Sequence, residues 1–320
     1  MTSLLGPDTR CSRSRIRVRR FAGSARHVAQ LDSPIRVAHL TDLHVGRITP
    51  RSVQERAVEL TNEARPDLVA ITGDFVCHSQ SYLDFLEYIV SGFSAPVVAV
   101  LGNHDHWAGA DEVRRSLARA GAEVLENSST VITLNGCRLQ VLGLGDSYTG
   151  YADIKRTLQG IRTDLPSLGL SHIAEEADHF WRGGVPLVLS GHTHGGQVTL
   201  ASLHEIAMGK VGGHRYIHGL YGRRSFNGGF DGAVYVGAGI GASVMPLRMG
   251  ERGAREVALF DLGIDPATIP EHHDEQKALP GRPPSSRKRA KRMLRVYRQQ
   301  AFRMRTASLR GYASSRNWSI

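Results

Sequence analysis

Two histidines stand two residues apart in a glycine-rich stretch, "LSGHTHGGQ" at residues 189–197, directly after an apolar run that predicts a buried strand. Imidazole nitrogens are common metal ligands, and neighbouring glycines let the backbone pass closely without side-chain clash. A single buried histidine, however, is more often a core residue than a ligand. His192 and His194 therefore indicate a metal site only if other parts of the chain supply further ligands.

Four other segments also end an apolar run with residues that can bind a metal. They are "TDLH", "TGDF", "GNHDHW" and "LGLSH", and their candidate ligands are Asp42, His44, Asp74, Asn103 and His172. Ligands of open α/β sheets bind beyond the carboxyl ends of the strands, so we expect these side chains to converge. Each segment alone is typical of a turn or a cap, and the specificity lies in the ordered set.

The types of these side chains narrow the choice of metal. Aspartate, asparagine and histidine without cysteine suit Mn, Fe, Zn, Co or Mg and argue against a structural cysteine–zinc site. Seven candidate ligands are too many for one tetrahedral ion. They fit two divalent ions about 3.5–4 Å apart that share one carboxylate. Asp74 stands between two groups of ligands in the sequence and is the expected bridge.

The elements that position these residues follow from the apolar pattern. Runs at 35–41, 67–73 and 96–102 predict buried strands, and amphipathic helical segments follow each of them. Asn135-Gly136 lies between two further apolar runs and predicts a hairpin. Residues 197–262 contain short strand-like runs. We expect an α/β fold in which two mixed β-sheets pack as a sandwich with flanking helices.

Positive charge is concentrated at both ends of the 320-residue chain, whose formal net charge is +10. Residues 1–26 contain seven arginines and one acidic residue, and residues 282–320 contain twelve lysines and arginines and no acidic residue. The intervening residues carry 21 basic and 29 acidic side chains, so the body is net negative. The basic character therefore describes the termini.

The same pattern divides the chain into four parts. We expect a basic N-terminal segment at 1–34 with an edge strand, a catalytic domain at 35–262, a Pro-rich linker at 263–284 and a basic tail at 285–320. The pattern of apolar and basic residues in the tail predicts an amphipathic helix. This pattern favours an anionic membrane surface over nucleic acid as the partner of the tail. Its apolar side chains are Met293, Leu294, Tyr297, Ala301, Phe302 and Met304.

The expected location is the cytoplasm, with peripheral attachment to the inner face of the membrane. No apolar run approaches the ~20 residues of a membrane span, and the basic N-terminus is not followed by the apolar region of a secretory signal. The three widely spaced cysteines fit a reducing compartment.

The ordered set resembles the calcineurin-like metallophosphoesterase superfamily over about residues 35–262. The segments "SGHTHGGQV", "YIHGLY", "VYVGAGIG" and "PLRMG" are similar to a bacterial branch of membrane-associated phosphoesterases. Some relatives in that area cleave the pyrophosphate of UDP-diacylglucosamine. The resemblance implies a dinuclear hydrolase that cleaves a phosphodiester or pyrophosphate bond, in a lipid-linked or nucleotide-containing substrate, by metal-activated hydroxide.

The resemblance also implies a role for each residue. One metal would be held by Asp42, His44, Asp74 and His194, and the other by Asp74, Asn103, His172 and His192. His104 would protonate the leaving oxygen, and Asp105 would orient His104. Where the branch usually has a Pro-Asp turn, this chain has "SHIAEEADHF", so His179 is the alternative to His172.

The sequence is also compatible with other roles. Arg248 in "PLRMG" would contact a substrate phosphate, or else is a solvated arginine. The basic tail also allows a nuclease, and the fold would allow a binding scaffold without catalysis. The presence of all seven ligands disfavours the scaffold.

Overall fold

The computed structural model describes residues 16–196, 212–222, 232–242, 253–269 and 276–314, with side chains described as far as residue 302. Twelve strands of these segments form two six-stranded mixed sheets. The helices are α1 (Ala25–Gln30), α2 (Arg51–Glu63), α3 (Leu83–Ser91), α4 (Asn103–Ala108), α5 (Ala110–Arg119), α6 (Ile154–Gln159), α7 (Ala177–Arg182) and α8 (Ser286–Ser314). The predicted fold class, two mixed sheets with flanking helices, is confirmed.

The first sheet contains the three strands predicted before residue 103. Its strands, in spatial order, are β1 (Ile16–Ala22), β12 (Arg255–Leu262), β2 (Ile35–Leu40), β3 (Leu68–Thr72), β4 (Val97–Val100) and β5 (Ala122–Val124). The neighbours β2, β3, β4 and β5 are parallel, whereas β12 is antiparallel to β2. The carboxyl ends of β2, β3 and β4 therefore lie along one edge of the sheet.

The second sheet is built around the predicted hairpin. Its strands, in spatial order, are β10 (Gly219–Gly222), β11 (Ala233–Val236), β9 (Leu187–Ser190), β8 (Ser167–Leu170), β7 (Cys137–Gly143) and β6 (Ser128–Leu134). At the β6–β7 turn, Asn135 and Gly136 have φ values of 50° and 80°, as a tight hairpin turn requires. Strands β7, β8, β9 and β11 run parallel, so their carboxyl ends also share one edge.

Three apolar cores hold these layers together. Leu68 and Ala70 of β3 join the core between the two sheets, whereas Val69 and Ile71 join the core between the first sheet and the helices. A third core packs the outer face of the second sheet around Phe180 of α7. Because the strands of the first sheet are buried on both faces, they read in the sequence as continuous apolar runs.

A buried charged network ties the edge strand β1 to β12. The carboxylate of Glu256 lies 3.4 Å from Arg19 and 3.1 Å from the Nε2 atom of His218. It also accepts hydrogen bonds from the hydroxyl of Tyr235 and the amide of Ala238. Arg19 is therefore buried, whereas Arg17 and Arg20 of the same strand are exposed.

The basic helix α8 packs against the body of the protein. Val296 is buried at 2% exposure, and its neighbours Arg292 and Arg295 face the same body. Most of the predicted apolar face stays outside, with Tyr297 60% and Phe302 68% exposed. No helix in the described segments is long and apolar enough to cross a bilayer.

Replacing Glu256 by glutamine should lower the free energy of unfolding by about 3 kcal/mol or more, because the buried Arg19 would lose the negative charge of Glu256 and His218 would lose a carboxylate hydrogen-bond partner. Burial alone would raise the pKa of Glu256, but His218 and Arg19 outweigh burial and hold that pKa well below its usual range. The contribution is therefore complete above pH ~4.5, the range of an unfolded glutamate, and is lost as the pH falls toward the folded pKa.

Urea unfolding of both proteins from pH 7 to pH 3 measures the difference. The matched control is Glu123→Gln, since Glu123 is an exposed residue of β5 in the same sheet, and we expect a change of no more than about 0.5 kcal/mol. Equal effects of the two substitutions would show that the Glu256 network does not stabilise the sheet.

Candidate metal centre and active site

The candidate ligands occupy the loops that leave five parallel strands at one edge of the sandwich. Asp42 and His44 follow β2, Asp74 follows β3, and Asn103 begins α4 directly after β4. From the second sheet, His172 follows β8, and His192 and His194 follow β9. The two packed sheets thus bring together residues up to 152 positions apart in the sequence, as the strand-end pattern predicts.

The backbone at these ligands adopts an uncommon conformation. Eight non-glycine residues in the described part of the chain have positive φ, and five of them are Asp42, His44, Asp74, His192 and His194. A left-handed conformation costs a side-chain-bearing residue roughly 1 kcal/mol or more. Such strain persists only where the surrounding structure enforces it, and it is typical of functional sites.

The first cluster consists of Asp42, His44, Asp74 and His194. The Nε2 atoms of His44 and His194 lie 3.0 Å apart, and His194 Nε2 lies 3.3 Å from Asp42 Oδ1. His44 Nε2 lies 3.6 Å from Asp74 Oδ2. Ligand atoms bound at about 2.1 Å to one ion are themselves separated by roughly 3.0–3.4 Å. The four side chains are therefore spaced as ligands of one cation.

The second cluster consists of Asp74, His172 and His192. His172 Nε2 lies 3.4 Å from Asp74 Oδ2 and 3.2 Å from His192 Nδ1. Asn103 is buried at the same edge, and its side-chain oxygen has no hydrogen-bond partner among the described residues. Asp42 Oδ1 in the first cluster is likewise buried without a hydrogen bond within the described structure. Unsatisfied buried oxygens are the atoms that a bound cation would satisfy.

Hydrogen bonds around the clusters aim the ligand atoms inward. The Nδ1 atom of His172 lies 2.7 Å from the carbonyl oxygen of Thr72, so it donates its proton there and Nε2 is directed toward Asp74 and His192. The second carboxylate oxygen of Asp42 accepts from the Thr41 hydroxyl and the His192 amide. Asp74 Oδ1 accepts from the His104 amide at 2.8 Å, which leaves Oδ2 for both clusters.

Two glycines make this close packing possible. A Cβ atom at Gly102 would meet Asp74 Oδ1, and a Cβ atom at Gly191 would meet the Thr41 hydroxyl and Asp42 Oδ2. Any side chain at either position would displace a candidate ligand. The glycines beside the ligands are therefore a steric requirement of the site.

The electrostatics of the site call for positive charge. Burial raises the pKa of Asp42 to about 6. Burial alone would lower the pKa of His172, but the charge of Asp74 outweighs burial and raises it to about 10. The reciprocal effect of His172 outweighs burial at Asp74 and holds the Asp74 pKa well below its usual range. Two buried carboxylates thus need a cation, and the residues present fit a metal.

His104 faces the clusters without belonging to either. Its Nδ1 atom is bonded to the carbonyl oxygen of Cys77, which can only accept, so Nδ1 carries a proton. Its Nε2 atom then points inward and lies 4.0 Å from Asp74 Oδ2. The ring is packed edge-on between the rings of His44 and His78. Nε2 is therefore fixed where it can exchange a proton with a bound substrate.

Asp105 does not contact the ring of His104, contrary to the role that the family resemblance implies. Its two carboxylate oxygens accept from the amides of Val76 and Gly102, at 3.1 and 2.9 Å. Asp105 therefore fixes the loop that carries Asn103 and His104, while the ring orientation comes from the Cys77 carbonyl group.

Comparison with known proteins places these observations in a family. The sequence profile described as calcineurin-like phosphoesterase matches residues 35–196, which is half of the chain. The chain belongs to the calcineurin-like phosphoesterase family. Membership and the clustered carboxylates and imidazoles together establish a metal-dependent phosphoric ester hydrolase.

Two curated relatives and one solved structure illustrate what the chain is similar to. The metallophosphoesterase is 31% identical to phosphodiesterase YaeI of Escherichia coli over 72% of its own length and 83% of that protein. It is 30% identical to the uncharacterized metallophosphoesterase YkuE of Bacillus subtilis, over 71% and 78% of the two chains. A solved dimetal phosphatase from Danio rerio has 11% identity and a TM-score of 0.45, over 71% of this chain and 92% of its own.

The structure of the metallophosphoesterase decides between the two candidate histidines but does not describe Arg248. His172 lies in the site, whereas His179 is exposed on α7. Arg248 lies outside the described residues. The structure also adds Tyr148 and Trp107, which contact His192 and His104 at ring distances of 5.1 and 4.8 Å. Tyr148 could have been found, because "GLGDSYTG" also follows a strand of the second sheet.

Replacing Asp74 by asparagine should deplete both bound metals and abolish phosphoester hydrolysis. The Oδ2 atom of Asp74 lies within 3.6 Å of a histidine nitrogen of each cluster, and an amide is a much weaker ligand. Metal analysis of the purified protein, with circular dichroism as a folding check, measures the result.

Asp84→Asn, at an exposed position of α3, is the matched control and should keep full metal content. Retention of both metals and of activity by Asp74→Asn would show that Asp74 is not the shared ligand.

Proposed function

We propose that the chain hydrolyses a phosphodiester or pyrophosphate bond at a centre of two divalent metal ions. The main support is the position of one atom, Asp74 Oδ2, which lies 3.6 Å from His44 Nε2 and 3.4 Å from His172 Nε2. A carboxylate shared between two groups of ligands fits the short spacing of a dinuclear hydrolase. The proposed ligands are Asp42, His44, Asp74 and His194 for one ion, and Asp74, Asn103, His172 and His192 for the other.

The ions, when bound, supply positive charge for the phosphoryl oxygens and activate water near neutral pH. The remaining chemistry belongs to the protein. As water oxygen bonds to phosphorus and the bond to the leaving oxygen breaks, protonated His104 donates its Nε2 proton to that oxygen. The proton released by the attacking water restores His104 through solvent. The Cys77 carbonyl group keeps Nδ1 protonated, so donation always occurs from Nε2.

The substrate class follows from the same proposal. We assign a phosphodiester, since phosphodiesterase YaeI is a relative. The diphosphate ester and the lipid or nucleotide portion rest on the resemblance of "SGHTHGGQV" and "VYVGAGIG" to the bacterial branch. A nuclease is the second candidate, and the positive charge of α8 favours it. Hydrolysis of a dinucleotide, a nucleotide-linked lipid diphosphate and a phosphomonoester by the Mn²⁺-loaded protein separates these classes.

We also propose that α8 contacts an anionic membrane surface. Leu294, Tyr297 and Phe302 are 47%, 60% and 68% exposed and alternate with lysines and arginines. Apolar side chains can enter the headgroup region while neighbouring cations meet anionic lipids.

Replacing His104 by glutamine should lower kcat by roughly 10²–10⁴ for an alkyl diester, the range of a general acid. Both metals should stay bound, because His104 is not a proposed ligand. The loss should be much smaller for bis(4-nitrophenyl) phosphate, whose leaving group departs without a proton. The control His179→Gln changes an exposed histidine of α7 that belongs to neither cluster. An equal loss for both substrates would exclude His104 as the acid.

Replacing Tyr297 by glutamate should weaken binding to vesicles that contain phosphatidylglycerol several-fold, since one charge near such a surface is worth about 1 kcal/mol. Co-sedimentation measures the bound fraction, and activity on a small diester should not change. Tyr88→Glu on α3 is the matched control, because Tyr88 is 59% exposed. Equal binding of both variants, or binding of RNA in place of vesicles, would contradict the membrane proposal.

A further inference from the structure

Helix α8 lies across the rim of the active site. The guanidinium group of Arg292 stands 3.6 Å above the ring of Tyr148, and that of Arg295 stands 4.0 Å above the ring of Trp107. Tyr148 in turn contacts His192, and Trp107 contacts His104. One aromatic ring therefore separates each arginine from a histidine of the site.

A cavity of about 610 Å³ opens between α8 and the loop that carries His78. The ring of His78 contacts the ring of His104 at 4.4 Å, so the cavity begins beside the proposed general acid. Its wall contains Lys291, Arg295 and Arg298 together with the apolar side chains of Leu294 and Phe302. None of the residues that line it in the described structure is acidic.

The arginines of α8 that face the cavity or the body keep their charge available for an anion. Among the described residues, Arg292, Arg295 and Arg298 make no ion pair with a carboxylate, and the two that face the body are held by aromatic rings instead. Stacking on a ring positions a guanidinium group while its N–H edge remains free for an anion. The buried Nε atom of Arg292 also has no hydrogen-bond partner among the described residues.

We propose that α8 forms an anion-binding subsite for the leaving group of the substrate, made by Lys291, Arg295 and Arg298 beside His78. The inference rests on the proposed role of His104, because the group that His104 protonates departs on the side of His78 and Trp107. A leaving group that carries a second negative charge, either the adjacent phosphate of a diphosphate or a more distant phosphate, pairs with the arginines. Leu294 and Phe302 contact its apolar portion.

Kinetics with three substrates of the full-length, Mn²⁺-loaded protein test the subsite. Bis(4-nitrophenyl) phosphate has a leaving group without a second anionic group, a dinucleoside diphosphate releases a nucleoside monophosphate, and a dinucleotide with a 3′-phosphate carries its charge further away. Arg295→Ala and Arg298→Ala should lower kcat/KM roughly 10- to 100-fold for an anionic leaving group, through the loss of charged hydrogen bonds. The kcat/KM for bis(4-nitrophenyl) phosphate should change by no more than about twofold.

The matched control is Arg289→Ala. Arg289 is exposed on the same helix and stands nine residues before Arg298, which places it on the opposite side. Arg295→Lys should recover part of the loss, because it restores the charge without the planar fork. The diphosphate and the 3′-phosphate substrate distinguish an adjacent from a distant anionic group, and a selective loss for either supports the subsite. Equal losses for all three substrates, or no loss for any, would overturn it.

A binding measurement separates this inference from the proposed function. Calorimetric titration of the metal-free protein with AMP should show binding that Arg298→Ala weakens and Arg289→Ala does not. Such binding without hydrolysis of any phosphoester would overturn the proposed function and keep the subsite. If the protein hydrolyses phosphoesters but Arg298→Ala leaves AMP binding unchanged, the proposed function stands and the subsite is overturned.

Discussion

The buried carboxylate of Asp74 is the group on which the arrangement of the site depends. Its Oδ1 atom is bonded to the amide of His104, so only Oδ2 remains for the two clusters. A buried carboxylate is costly unless positive charge compensates it, and the raised pKa of His172 shows that the fold already draws positive charge to this atom. A metal at each side would supply the same compensation and free the imidazole rings to act as ligands.

The convergence of these ligands requires a strained backbone conformation. Asp42, His44 and Asp74 leave their strands with positive φ, and Gly102 and Gly191 leave no room for a side chain. The three apolar cores hold the strands rigidly enough to enforce these conformations.

The sequence predicted the site best where a local apolar pattern also fixes a residue's place in the fold. Strands buried on both faces read as apolar runs, and their ends share one edge, so the positions of Asp42, Asp74 and His192 follow from simple rules. The contact of Asp105 with the Gly102 amide is local, because Asp105 stands three residues after Gly102 at the start of α4. The contact of Asp105 with the Val76 amide and the burial of Arg19 against Glu256 did not follow, because both depend on pairing across the fold. No local period encodes such partners.

The arginines of α8 differ from Arg19 in the group that holds them, and this difference decides whether their charge is available to bind an anion. Arg19 lies against the carboxylate of Glu256, and this pairing neutralises its charge inside the sheet. Arg292 and Arg295 lie instead on Tyr148 and Trp107, whose rings hold a guanidinium group without cancelling its charge. A body with a net negative charge would repel a phosphoester from its surface. The arginines of α8 place positive charge at the rim of the site, and ring stacking holds them there without carboxylates that would compete with a phosphate.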